Sequence, residues 1–174
     1  TDRFQSNYYS VNFLLPIDRA TAAENTLVFR ILNRGCRRYP TTAEKAAALQ
    51  ELYDAQISPV GRQRGEVQIA GLVCDVLRDR CIPGKPPLFA DAADLLRQIL
   101  TEPCLAEDGF LPDVVEREKN NLLDDLRSII NNKTAYASYR LREEMCRGEA
   151  YGTSILGDEA SILAATPPSL YRRY

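Results

Sequence analysis

Whatever chemistry this chain does has to be done without an imidazole, because its 174 residues include no histidine. That removes any Ser-His-Asp relay and the base a thiol nucleophile ordinarily uses. Cys36, Cys74, Cys81, Cys104 and Cys146 contain no Cys-x-x-Cys pair, so they read as reduced, mostly core thiols. A hydrolytic zinc centre takes three imidazole, thiolate or carboxylate ligands and leaves a fourth position open for water, and no such cluster is evident. What remains is carboxylate. Glu118 and Asp125 stand two helical turns apart on the flank of an apolar face made by Leu122, Leu126 and Ile129. Their plain reading is the solvated edge of an amphipathic helix. Arg34, Arg37 and Arg38 read as a solvated helix end, and Arg62 with Arg64 as a hairpin tip. The nine glycines form no phosphate-cradling loop.

The composition is that of an ordinary globular chain with enough length for one sizeable core: 45% apolar and 26% charged residues. Its 24 acidic and 22 basic side chains give a net charge of -2 spread along the whole length, so no strong field draws nucleic acid or an anionic membrane to it. The longest apolar runs are strand-sized, which gives no membrane span. An odd cysteine count fits a reducing compartment, and the expected location is the cytoplasm. Asn132-Lys133-Thr134 matches a glycosylation acceptor, which matters only in a secreted chain. The start at Thr1 and the end at Tyr174 inside a helical stretch lead to the expectation of a single domain, 1–174, trimmed at both ends.

Local signals order the elements. Tyr9, Val11, Phe13 and Leu15 alternate with Ser10, Asn12 and Leu14, the period of a half-buried strand stopped by Pro16. Thr21-Ala-Ala-Glu24 reads as a capping box opening a helix over about 22–34, with Gly35 as the left-handed residue past its end. Thr41 to Glu44 repeats that logic before a second helix running through Leu49, Leu52 and Tyr53. Residues 56–60 and 66–73 read as an antiparallel pair flanking Gly61 to Gly65, with Pro59 on an edge or at an end. Pro83 to Pro87 is loop, and Leu88 to Thr101 a helix. From Pro112 to about Gly148 the pattern predicts two helices broken near Asn131-Asn132-Lys133, and Thr166-Pro167 starts a last short helix. This order predicts an α+β fold: a largely antiparallel sheet with several helices on one face.

Four segments in that order resemble the amino-terminal domain of the pitrilysin/insulinase zinc metallopeptidase superfamily, which includes mitochondrial processing peptidase, and within it the inactive bacterial paralogues. They are Leu27 to Arg38 with its Arg-Gly-Cys-Arg-Arg ending, Leu49 to Ile57, Val115 to Asp125, and Glu149 to Ser161. The last is similar to the family's His-Pro-Tyr-Gly turn followed by a Leu-Gly-Thr helix start. Active members carry an inverted zinc motif, His-x-x-Glu-His, just before the stretch matched by Ile31 to Gly35. Counting back from Gly35 puts Thr26 at the first histidine, Phe29 at the catalytic glutamate and Arg30 at the second histidine. The third ligand of the family is a later glutamate with another seven residues before it, and Asp125 and Glu118 take those two positions.

The resemblance therefore implies a degenerate metal site at Thr26, Phe29, Arg30, Glu118 and Asp125. Threonine is a poor neutral ligand, phenylalanine has no basic atom and arginine is a permanent cation without a lone pair. Zinc, the cofactor of active members, is not expected here, and no catalytic residue is assigned. At i, i+3 and i+4, Thr26, Phe29 and Arg30 share the helix side opposite Leu27, Val28, Ile31 and Leu32, which makes a cleft-facing role available. Asp125 or Glu118 paired with Arg30 would replace a metal bridge by an ion pair. The implied role is the structural or peptide-binding half of a processing-peptidase-like assembly, partnered by an active pitrilysin-type subunit and facing a peptide or unfolded protein. The family's second domain, with its substrate-binding Arg and Tyr, lies outside this sequence. Two alternatives stand beside that reading: a metal-dependent peptidase with atypical ligands such as Cys36 or Asp125, and a stand-alone protein-binding scaffold.

Overall fold

Strand β3 (Val67–Leu77) is the centre of a three-stranded sheet of order β1-β3-β2, flanked by β1 (Ser6–Pro16) and β2 (Gln56–Arg64). The computed structural model describes residues 3–84 and 86–174. Arg78 N donates to Gln5 O at 2.8 Å near one end of the β1–β3 pair and Ile17 N to Glu66 O at 2.9 Å near the other, so the two strands run antiparallel. Gly71 sits where they approach most closely: a Cβ there would lie 2.0 Å from Val11 O, which only glycine avoids.

Position in the sheet explains two departures from the sequence reading. With a strand paired along each edge, β3 is buried almost continuously from Gln68 to Cys74. As an edge strand β1 is largely exposed instead of half-buried, with Val11, Phe13 and Leu14 all accessible. The hairpin between β2 and β3 is also tighter than its glycine spacing predicts. Both strands continue to a two-residue turn, Gly65-Glu66, in which Gly65 takes φ 56°, the geometry a type II′ turn reserves for glycine at its first position. Pro59 lies on edge strand β2, where its missing N–H costs no ladder bond.

The chain divides into two compact units. The first comprises the segment up to Asn12, Leu32–Val60 and Gly71–Cys104. Its helices are α2 (Thr42–Glu51) and α3 (Leu88–Thr101), the second matching the sequence reading. The Thr41 hydroxyl accepts from Glu44 N while the Glu44 carboxylate accepts from Thr41 N, so the capping box is formed. Helix α2 stops before Leu52 and Tyr53, because Tyr53 and Asp54 both adopt left-handed backbone, φ 56° and 59°. Ala48, Ile57, Leu72, Val76, Leu95 and Ile99 are among its buried core. Gly35 is not left-handed; what it needs is room, since a Cβ would meet Tyr39 O at 2.6 Å.

The second unit comprises Phe13–Ile31, Gly61–Ala70 and Leu105–Tyr174. It holds most of α1 (Ala22–Leu32), then α4 (Pro112–Ser128), α5 (Lys133–Met145), α6 (Glu159–Ala164) and α7 (Pro167–Arg173). A short antiparallel ladder, β4 (Leu105–Ala106) with β5 (Gly109–Phe110), escapes the sequence reading because each strand is two residues long. Leu27, Phe110, Val115, Leu122, Ile162 and Leu170 form the core of this unit. Lys119 of α4, also buried, donates to the carbonyls of Leu163 and Ala165 at the end of α6, where a cation complements the unsatisfied C=O groups. Among the described residues no helix is long and apolar enough to cross a membrane.

Lys45 of α2 is a second buried cation, donating to the backbone and side-chain oxygens of Asn33. Burial pushes its pKa down from 10.5 to about 8, with Arg34 adding to the shift. The folded chain thus holds this proton less tightly than the unfolded chain does. Lys45 opposes folding below about pH 8, and the opposition fades as pH climbs toward 10.5, where both states are neutral. Relative to Lys45→Met, wild-type stability is expected to rise across that window by up to roughly 3 kcal/mol, read from denaturant midpoints; a pH-independent difference would contradict it.

Candidate functional site

Helix α1 presents far less open surface than its sequence pattern predicts. Ala22, Ala23, Asn25, Leu27, Val28, Phe29, Ile31 and Leu32 are all buried, leaving Glu24, Thr26 and Arg30 only partly accessible. Phe29 is therefore a correction: it does not face a cleft but packs with its ring 5.4 Å from Phe13 and is 8% exposed. A side chain so buried does not meet water.

Thr26 is held by a buried amide network that centres on Gln68 of β3. The Gln68 side chain is 0% exposed, and its Nε2 lies within hydrogen-bond reach of Ala22 O (3.1 Å), Thr26 Oγ1 (3.1 Å) and Ile155 O (3.2 Å). Its Oε1 accepts from Asn25 Nδ2 at 2.8 Å, and Asn25 Oδ1 accepts in turn from Arg173 Nε. Thr26 Oγ1 donates to Ile155 O at 2.6 Å. The turn carrying that carbonyl is set by Gly157, whose φ of 76° and lack of a Cβ let it close against Ala23. Asp158 then caps α6 together with Ser161. The Ser161 N–H, with help from Arg19, holds the Asp158 carboxyl below its ordinary range. Asn25, Gln68 and Arg173 were not singled out by sequence reasoning. Gln68 at an inward position of a strand was the available signal, since a buried polar side chain demands partners.

Arg30 and Asp125 meet. Arg30 Nη2 donates to Asp125 Oδ2 at 2.7 Å, with the arginine side chain 21% and the aspartate 56% exposed. Half-exposed pairs of this kind contribute less than about 1 kcal/mol, so the contact sets position and charge more than stability. Glu118 departs from the solvated-edge reading: it is 4% exposed, and its Oε1 accepts from Asn121 Nδ2 at 3.2 Å. On α4 the residue two turns nearer the helix start thus lies in the protein, while Asp125 stays at the surface.

These residues do not fit a divalent ion. The guanidinium at Arg30 already neutralises Asp125, the Thr26 hydroxyl is engaged on both sides, and Phe29 offers no lone pair. Among the described residues no group of three or more His, Cys, Asp or Glu is placed to hold a metal. The cysteines are less uniformly core than their sequence reading: Cys36 and Cys74 are buried, Cys81 is exposed, and Cys104 and Cys146 are intermediate. Burial pushes the Cys74 and Cys104 thiols up, away from the reactive thiolate. A cavity of about 500 Å³ in the second unit is lined by residues of α5 and its following turn, and by none of the five candidate positions. Its arginines are matched internally, Arg140 with Glu143 and Glu144, Arg147 with Glu144, and Arg19 with Asp158.

Comparison with known proteins fits this geometry. The chain is 25% identical, over its full length, to 41% of a Bacillus subtilis (strain 168) protein named "Probable inactive metalloprotease YmfF". Its fold matches a conserved protein from Enterococcus faecalis V583 with a TM-score of 0.88, at 23% identity over 98% of this chain and 40% of that one. It matches a peptidase M16 inactive domain from Pseudomonas fluorescens with a TM-score of 0.66, at 16% identity over 97% of this chain and 37% of that one. No family model matches the chain. The chain spans about two fifths of the length of each of these proteins.

Replacing Gln68 by leucine would strip the buried Asn25 amide of its acceptor and take the Gln68 N–H from the Ala22 and Ile155 carbonyls, with Thr26 Oγ1 still donating to Ile155 O. Gln68→Leu is expected to cost about 2–4 kcal/mol, far more than an ordinary loss of one hydrogen bond. Urea unfolding measures it, and a loss below about 1 kcal/mol would mean that the network does not anchor α1.

Proposed function

Because the chain is pitrilysin-like, with the fold of a peptidase M16 domain, we propose that it is a non-catalytic member of that superfamily, in which an internal cation has taken the place of zinc. The observation that carries this reading is the Arg30–Asp125 pair at 2.7 Å, with Thr26 bound into the core network and Phe29 buried beside it. Thr26, Phe29, Arg30, Glu118 and Asp125 are the degenerate metal-site positions. A guanidinium fixed beside the remaining carboxylate repels a divalent ion and leaves it no ligand set.

In the assembly proposed here, the whole protein supplies the structural or peptide-binding half, and an active pitrilysin-type subunit supplies His-x-x-Glu-His. The pairing is of the processing-peptidase kind and the setting is the bacterial cytoplasm. Support comes from the relatives' inactive designations and from the long exposed edge strand β1, whose unpaired backbone groups could accept an extended peptide.

Purified chain is expected to carry no stoichiometric zinc and to hydrolyse no peptide by itself, whereas Thr26→His, Arg30→His and Asp125→Glu together are expected to bring zinc uptake, measured by metal analysis after dialysis. Chelator-sensitive hydrolysis by the wild type would overturn the non-catalytic reading. Zinc uptake no better in the triple variant, with its fold intact by circular dichroism, would remove the assignment of these positions. Recovery from the native cell without a histidine-bearing pitrilysin-type subunit would remove the partner role.

A further inference from the structure

We draw no further inference here: the strongest candidate, the exposed apolar stripe along α5 through Leu141 and Met145, is an unpartnered helix face, and nothing in the structure shows what covers it.

Discussion

The carboxamide of Gln68 is the constraint on which the second unit is built. It sits fully buried on the central strand and joins the first turns of α1 to the turn before α6. In surroundings of low dielectric, each of these hydrogen bonds is strengthened and each broken one is costly, so the network admits one arrangement of its members. Through Asn25 the same network reaches Arg173 on α7, which ties the end of the chain to α1. Thr26 is part of it, and this decides what that side of α1 can do: a hydroxyl held by Gln68 and Ile155 is not free to bind anything else.

Charge on that face follows the same logic of satisfaction from within. A metal bridging two helices would require lone pairs from both; here α1 contributes a guanidinium and α4 a carboxylate, and the two neutralise each other. The pair is too exposed to contribute much stability, so its consequence is chemical: the Asp125 carboxylate already has a cation beside it. Phe29 lies beside them as core.

The fold was legible where the signals are local. The boundaries of α3, the Thr41–Glu44 box and the start of α7 at Pro167 depend on residues within one turn of each other, and all appear as read. Misreadings arose where a neighbour outside the element itself decides. Strand β1 has a half-buried pattern but an edge position, so its alternate residues remain exposed. Gly35 looked like a left-handed helix end, but it is required by the approach of Tyr39. Glu118 and Asp125 have equal claim to a solvated helix flank, and only packing around α4 buries the first and leaves the second open.

By itself, the sequence determined that no imidazole chemistry is available and in what order the main elements follow, and its resemblance to the pitrilysin-type peptidases led to the expectation of a phenylalanine and an arginine where metal chemistry would need a base and a ligand. The first two conclusions rest on residue type and local spacing, which survive any arrangement in space. Only the tertiary structure decided that Arg30 meets Asp125, that Phe29 is core, and that Gln68 holds Thr26. Burial and pairing are properties of surroundings contributed by segments dozens of residues away, and a one-dimensional pattern does not carry them.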